Sequence, residues 1–162
     1  MKFNDTDKMV APDIWMSLSA IYTHKKTATV LVEMIQKTLP EFRKLLDVPN
    51  TVSFRVVPIK AKCTNGRYYD KSKVVEIDCR LKWAEGLEVL AHELVHAEQY
   101  HQGRLKKKYS TANGWIHSWN HSRSFNKGST YTSYRNQPWE QEAWSRQAGL
   151  AEQVCQAMEL NI

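Results

Sequence analysis

The sequence predicts an α+β protein in which helices stand before and after a small sheet. In three separate stretches, apolar residues recur at steps of three and four, which is the period of an amphipathic helix. Between the first two of these stretches, apolar and polar residues alternate or form short runs bounded by polar turns, a pattern typical of strands. At this length, residues 1–162 are expected to fold as one domain.

The first helix and the sheet are predicted in the N-terminal half. The helical period covers residues 25–46, and Pro40 is expected to kink or divide that helix because proline removes a backbone donor. Residues 52–57 alternate like a half-buried strand. Residues 66–69 and 73–78 flank a short polar link and therefore predict a hairpin.

The C-terminal half is predicted to contain two more helices joined by a long loop. Residues 83–101 have a helical period, and Gly103 stands where a helix commonly ends. Residues 104–137 are polar and aromatic without a clear period, so we predict a long loop there. Pro138 suits the first turn of a final helix, which is predicted to end near Met158.

The composition is that of an ordinary globular protein, with 42% hydrophobic and 25% charged residues. No apolar run approaches the roughly 20 residues of a membrane span, and the first residues lack the pattern of a signal peptide. Cys63, Cys79 and Cys155 form no CxxC pair, which argues against disulfides and against a cysteine zinc site. We therefore expect a cytoplasmic protein with no membrane partner.

Positive charge is concentrated in residues 104–137. The formal net charge of the chain is +6, and this segment contains seven Lys or Arg residues and no Asp or Glu. Such a segment favours an acidic partner, either an acidic peptide or nucleic acid, unless its charge only aids solubility. Within it, aromatic and histidine residues alternate as in a hairpin with aromatic packing or, alternatively, a second metal site: Trp115, His117, Trp119 and His121.

The segment His92-Glu93-Leu94-Val95-His96 is an HExxH motif on the second predicted helix. Two histidines four residues apart lie on the same side of a helix, where both imidazoles can bind one metal ion. The carboxylate beside the first histidine can accept a proton from a zinc-activated water. The motif therefore predicts one Zn2+ per chain, bound by His92 and His96, with Glu93 as the general base.

A catalytic zinc site needs a third protein ligand, and Glu140 is the best candidate. It lies on the apolar side of the last predicted helix, where an inward carboxylate needs a partner. Glu142 is the alternative ligand, but it shares a face with Arg146, and an ion pair would also explain it. His101 follows His96 by five residues and does not fit the pattern HExxHxxGxxH.

These residues resemble the zincin metallopeptidases, and among them the gluzincins, which carry a glutamate ligand on a helix after HExxH. HELVH is similar to their zinc helix, and Glu140 in PWEQEA stands where their ligand glutamate stands. Compact phage and bacterial metallopeptidases are the nearest likeness, over about residues 52–150. The resemblance implies a minimal zincin-like fold, with residues 73–78 as an edge strand that a peptide substrate could extend.

The match to that family is incomplete around the ligands. Related enzymes often have an acidic residue four positions after the glutamate ligand, where it orients a histidine, and Trp144 occupies that position here. Four side chains are candidates for stabilising the transition state, and the sequence does not choose among them: Tyr131, Tyr134, His117 and His121.

The leading hypothesis is a zinc-dependent metallopeptidase, a hydrolase expected to act as an endopeptidase on peptide or protein substrates. The alternative is a nucleic-acid-associated protein in which zinc only braces the fold and residues 104–137 contact phosphates and bases. A hybrid of the two is a DNA-associated protease similar to the SprT-like enzymes. Glu93 favours catalysis, because a structural zinc site has no use for a carboxylate beside its ligand and usually closes with a fourth protein ligand.

Overall fold

The structure, a computed structural model, describes residues 7–11, 14–61, 63–111, 114–121, 124–126 and 131–160. Side chains are described from residue 24 onward, apart from those of residues 110, 114–115, 124–126 and 131. The predicted α+β class is confirmed. None of the helices in this part of the chain is both long and apolar enough to cross a membrane.

Along the chain, two strands come before a long helix and three strands come after it. A second helix, a second group of strands and two final helices follow. They are β1 (Asp7–Ala11), β2 (Ile14–Ser17), α1 (Leu18–Leu45), β3 (Ser53–Val57), β4 (Gly66–Tyr69), β5 (Val74–Asp78), α2 (Trp83–His101), β6 (Leu105–Ser110), β7 (Gly114–Trp119), β8 (Ser124–Asn126), α3 (Tyr131–Arg135) and α4 (Pro138–Ala157).

A five-stranded sheet forms in the N-terminal half, with its strands in the order β1-β2-β3-β5-β4. β3 pairs in parallel with β2 and with β5, whereas β4 and β5 form the predicted antiparallel hairpin. β5 therefore lies inside the sheet, and β4 is the edge strand. The expectation that residues 73–78 form an edge is wrong, because the apolar side chains of Val74, Val75 and Ile77 are buried on both faces, as in an interior strand.

α1 continues as a helix through Pro40. Its irregular point is His24, whose φ of −135° and ψ of 36° are not helical, and the helix extends back beyond it to Leu18. The predicted start at residue 25 therefore coincides with a break inside a longer helix. The expectation that Pro40 divides the helix is wrong, since Leu39 and Phe42 are buried in the core and their packing stabilises the helix around the proline.

α2 is the central element of the core. It contacts α1, α4, β4, β5 and β6, and its residues 90–99 are buried without interruption. This part of α2 has no face in water, so its polar residues need partners inside the protein. The apolar core around it includes Leu31, Ile35, Phe42, Phe54, Ile77, Leu87, Leu90, Leu94, Ala143 and Val154.

Between α2 and α3 the described residues form a three-stranded antiparallel sheet, in the order β6-β7-β8. The prediction of a long loop over residues 104–137 is therefore wrong, while the hairpin interpretation of the alternating residues is correct for β6 and β7. The register places Leu105 opposite Trp119 and Lys107 opposite His117. Hydrophobicity gives no clear period along β6 and β7, because this side of the sheet carries Lys, His and Trp, which differ in polarity.

Candidate metal centre

Three side chains from two helices converge in the interior: His92 and His96 on α2, and Glu140 on α4. Pro138 begins α4, so Glu140 lies in its first turn, on the same buried side as Ala143. The Nε2 atoms of the two histidines are 3.2 Å apart. The carboxylate oxygens of Glu140 lie 3.4 Å from Nε2 of His92 and 3.3 Å from Nε2 of His96. All three residues are more than nine-tenths buried, with 9%, 7% and 2% of their surfaces exposed.

Two glutamines hold the imidazole rings from the other side. Oε1 of Gln147 lies 3.0 Å from Nδ1 of His92, and Oε1 of Gln99 lies 2.9 Å from Nδ1 of His96. The amide of Gln99 is fixed in turn, because its Nε2 donates to the backbone carbonyl of Trp139 at 3.0 Å. An amide oxygen can only accept, so Nδ1 is the donor in both contacts and Nε2 of each ring faces the centre.

The centre thus concentrates electron pairs from two imidazoles and a carboxylate. Oε2 of Glu140 is buried without a hydrogen-bond partner. Burial lowers the pKa of His96, but its contacts with Glu140 outweigh burial and raise that pKa to about 9. Burial alone would raise the pKa of Glu140, but the two histidines beside its carboxylate outweigh burial and lower that pKa. One nitrogen from each histidine and one oxygen of Glu140 lie within 4.8 Å of one another, so this group could hold one metal ion.

Glu93 lies beside this centre and next to the edge strand. Its carboxylate accepts a hydrogen bond from the backbone N–H of Tyr68 in β4. β4 can approach so closely because Gly66 has no side chain, since a Cβ there would stand 2.5 Å from Cγ1 of Val89 and 3.0 Å from Cγ of Glu93. Burial raises the pKa of Glu93, although the two histidines oppose the shift. The protein therefore holds, next to the three candidate ligands, a carboxyl group with increased proton affinity.

The centre opens into a cleft of about 840 Å³. β4 contributes one of its walls, and the second sheet contributes another through Leu105, Lys107 and His117. α4 adds Trp139 and Trp144. A volume of this order is typical of sites that enclose a small molecule or a short peptide segment, about 300–1,000 Å³.

Of the four candidates for stabilising a transition state, Tyr134 and His117 line this cleft. Tyr134 hydrogen-bonds Glu140, and burial together with that negative charge raises the pKa of its phenol. His121 lies exposed in the turn after β7, and the side chain of Tyr131 is outside the described residues. In the described part of the chain, neither His117 nor His121 belongs to a group that could hold a second metal.

Glu142, the alternative third ligand, belongs to a different group, which we call the arginine–glutamate cluster: Glu98, Arg104, Glu142 and Arg146. Arg104 donates to both oxygens of Glu142, at 2.6 and 3.0 Å. Nη1 of Arg146 donates to Glu142 at 2.8 Å and to Glu98 at 2.6 Å. Burial would raise the pKa of Glu142, but the two arginines outweigh it and lower that pKa. The ion pair indicated by the sequence is present, and His101, the other alternative, is exposed at the end of α2.

The glutamines that orient the histidines were not predicted from the sequence. Trp144 occupies the position at which the resemblance to gluzincins suggested an acidic residue, and its ring packs against His92 with 5.0 Å between the centroids. Gln147 takes over the orienting contact from seven residues after Glu140, which is two helical turns along the same face. Gln99 does so from three residues after His96. A glutamine at helical spacing from a candidate ligand was therefore the sequence signal for the orienting group, in place of the expected acidic residue.

Comparison with known proteins identifies no family for this chain. No protein-family model matches this chain, and neither does any curated protein or solved structure. The argument for function therefore depends on the residues that the fold brings together around HExxH.

Proposed function

We propose that this chain is a zinc-dependent metallopeptidase of the gluzincin type, with His92, His96 and Glu140 as ligands and Glu93 as general base. The observation that carries the proposal is the buried group of two histidines and a glutamate, with Glu93 beside it, at the floor of a cleft. Three protein ligands beside an open space are typical of catalytic zinc sites, whereas structural sites usually close with a fourth ligand.

Zinc is the metal that suits this set of donors. Two imidazole nitrogens and one carboxylate oxygen are ordinary zinc ligands, whereas calcium and magnesium prefer oxygen alone. The contacts of Gln147 and Gln99 hold both rings with Nε2 turned toward Glu140, the orientation in which each histidine could bind a metal. When bound, zinc would make a water molecule more acidic and would polarise the carbonyl of a peptide bond.

Glu93 supplies the proton transfers of the proposed reaction. Its raised pKa supports this role, because a base works best when its pKa lies near the operating pH. The backbone N–H of Tyr68 keeps the carboxylate oriented while it accepts a proton from the attacking water and then donates it to the leaving amine. Tyr134 and His117 are the cleft side chains that we propose for stabilising charge on the carbonyl oxygen.

The proposed substrate is a peptide segment that lies along β4. An edge strand has unpaired backbone groups, to which an extended peptide can add as a further strand. β4 lines the cleft beside Glu93, so it takes the role that the sequence had suggested for residues 73–78. A peptide held there would have its backbone within the cleft that contains the metal ligands.

Nucleic-acid association is a second candidate, favoured by three consecutive exposed lysines on β6: Lys106, Lys107 and Lys108. In that case zinc would brace α2 against α4, and the second sheet would contact phosphates. A DNA-associated protease similar to the SprT-like enzymes would combine both activities. The buried position of Glu93 beside the ligands supports catalysis over a purely structural zinc, because a bracing metal has no use for it.

The decisive experiment is Glu93→Gln, assayed on an unbiased peptide library with zinc content measured in the same preparation. We expect one zinc per chain in both proteins, and at least about a hundredfold loss of peptide hydrolysis in the variant, since proton transfer is lost while the ligands stay. Glu85→Gln, the same exchange on the exposed first turn of α2, is the matched control and should keep its activity.

Two results would contradict the proposal. One is a zinc-loaded wild-type protein that cleaves no peptide in the library. The other is a zinc-loaded Glu93→Gln protein with unchanged turnover, which would remove Glu93 from the mechanism.

A further inference from the structure

The cleft continues along α2 from the candidate metal centre to Tyr100. Tyr100 follows His96 by four residues, so it lies on the same side of the helix, about 6 Å further along its axis. Its ring lies against that of Tyr68 on β4, with 5.8 Å between the centroids and 49° between the planes. Both tyrosines are half-buried and line the cleft, where they form an aromatic pair beside the candidate ligands.

An acidic side chain lies next to this aromatic pair. Asp70 follows the last residue of β4 and lines the same cleft. Burial raises the pKa of Tyr68 to about 12 and also raises that of Tyr100, and in both cases the negative charge of Asp70 adds to the rise. The pair is thus partly shielded from water, and Asp70 is near enough for its charge to act on both phenols.

The oxygen atoms of these three residues are available to a ligand. In the described part of the chain, the side chains of Tyr68, Tyr100 and Asp70 form no hydrogen bond and no ion pair. A carboxylate accepts hydrogen bonds only, and each phenol oxygen can accept one as well. The aromatic pair and Asp70 therefore combine two ring faces with unpaired acceptor oxygens and one negative charge.

The cleft also contains two basic residues, and neither forms an ion pair with Asp70. Arg67 lies on the other face of β4 from Tyr68, because successive side chains of a strand alternate, and it is opposite Glu76 of β5. Lys107 belongs to a different wall, is exposed and has an interaction of its own. The charge of Asp70 is therefore not neutralised within the chain by either of these cations.

From this geometry we infer that Tyr68, Tyr100 and Asp70 form a subsite for an arginine or lysine side chain of the peptide substrate. The apolar stem of such a side chain packs against the rings, while its charged end lies over a ring face and donates to Asp70. Arginine fits best, because a planar guanidinium can stack on a ring and bind both carboxylate oxygens. The inference rests on the proposed peptidase function and names its substrate class.

Other side chains suit this subsite less well. An Asp or Glu side chain would bring a second negative charge next to Asp70. A large apolar side chain could pack against the aromatic pair, but it would remove water from the carboxylate without giving it a partner.

The test compares the binding of peptides that differ in one side chain. Labelled hexapeptides with acetylated N-termini carry Arg, its uncharged isostere citrulline, or Glu at each position in turn. Fluorescence anisotropy is recorded on the zinc-loaded Glu93→Gln protein. At one position we expect Arg to bind at least about tenfold more tightly than citrulline, the size of one charged hydrogen bond, and Glu to bind most weakly.

Substitutions in the same protein show whether Asp70 causes the preference. Asp70→Asn keeps the size of the side chain and removes its charge, so the Arg and citrulline peptides should bind within about twofold of each other. Asp47→Asn, the same exchange at an exposed position outside the cleft, is the matched control and should keep the preference. Tyr100→Ala should weaken both peptides, because both stems lose a ring to pack against.

Binding separates failure of this inference from failure of the proposed function. A preference for Arg that depends on Asp70 supports the inference even if no peptide is cleaved. Cleavage by the wild-type protein without any preference for Arg over citrulline overturns the inference and leaves the peptidase proposal standing.

Four further outcomes also overturn it. A preference for Arg that persists in Asp70→Asn would place the bound cation elsewhere in the cleft. Tighter binding of the Glu peptides would mean that Arg67 and Lys107 dominate the selection. A preference that appears only in peptides with a free N-terminus would assign Asp70 to the α-ammonium group of the substrate. Binding of none of the peptides would remove the subsite altogether.

Discussion

The metal centre and the arginine–glutamate cluster both use side chains of α2 and α4, but they differ in charge balance; the cluster also includes Arg104, from the link between α2 and β6. In the cluster, two carboxylates meet two guanidinium groups, so the chain supplies its own cations. In the centre, the Nε2 atoms of two imidazoles face the carboxylate of Glu140, with no Lys or Arg in the group. The comparison separates two kinds of carboxylate. One that is paired with arginines is balanced by cations of the chain and stabilises the fold, whereas one that faces two histidine nitrogens is a candidate metal ligand.

Two glutamates separated by a single residue differ in this way because of helical geometry. Glu140 and Glu142 are two positions apart, about 200° around the axis of α4, so they point to nearly opposite sides. Glu140 is 2% exposed and faces the histidines, while the side chain of Glu142 is 23% exposed and faces Arg104 and Arg146. Within about one turn of α4, one glutamate thus faces the candidate metal centre and the other forms ion pairs that stabilise the fold.

The largest expected effect comes from exchanging these two glutamates for alanine. Glu140→Ala should weaken zinc binding by roughly a thousandfold or more, because one of three ligands is lost. His92→Ala and His96→Ala should do the same. Glu142→Ala should keep about one zinc per chain, which elemental analysis and competition with a chelating dye can measure. Retained zinc in Glu140→Ala together with an empty site in Glu142→Ala would reverse the assignment of the two regions.

The next effect tests the glutamines that orient the ligands. Gln147→Ala should weaken zinc binding by about 10–100-fold, the usual cost of losing a group that orients a ligand histidine. Gln99→Ala should do so too and should also lower stability, because it removes a buried hydrogen bond to the carbonyl of Trp139. Gln141→Ala, on the exposed side of α4, is the control. Unchanged zinc affinity in both variants would show that the imidazoles keep their orientation without these amides.

The smallest expected effect is a loss of stability when the arginine–glutamate cluster is weakened. Glu142→Gln should lower the free energy of unfolding by about 1–2 kcal/mol near neutral pH, since it weakens hydrogen bonds to two charged partners. The pKa of Glu142 is lowered in the folded protein, so its stabilisation is present above the ordinary value of 4.5 and is lost as pH falls through the lowered pKa. The difference between variant and wild type should therefore shrink in acid.

Urea unfolding over a pH series measures this difference, with Glu152→Gln on the exposed face of α4 as the matched control. A loss of stability that is equal in both variants, or that does not change with pH, would show that the ion pairs of the cluster contribute nothing specific.

Sequence patterns predicted the parts of the molecule whose signals are local. The HExxH spacing brought His92, Glu93 and His96 to one side of α2, and the period of α4 identified the buried face of Glu140. The hairpin of β4 and β5 was also predicted, but not which of its strands is the edge. That depends on the parallel pairing of β5 with β3, a contact between distant segments that no short window of sequence contains.

The parts that could not be predicted share a physical cause. Gln99 and Gln147 have functions here only because the fold points them at imidazole nitrogens, and glutamine is otherwise an ordinary surface residue. The strands of the second sheet expose lysines on one face and carry Lys107 and His117 on the other, so hydrophobicity does not alternate along them. In both cases tertiary contacts, and not local preference, determine the structure.

The position of the second sheet in the chain has a consequence for how such a protein can change over evolution. The whole sheet lies between the last residue of α2 and the first of α4, so a metal held by both helices would close it into a loop. The entropy lost on closing a loop rises slowly with length, by about 0.6 kcal/mol for each doubling. Insertions or deletions in the turns of this sheet would therefore change the wall of the cleft with little effect on the three candidate ligands. Ligand specificity could then change during evolution while the metal centre is kept.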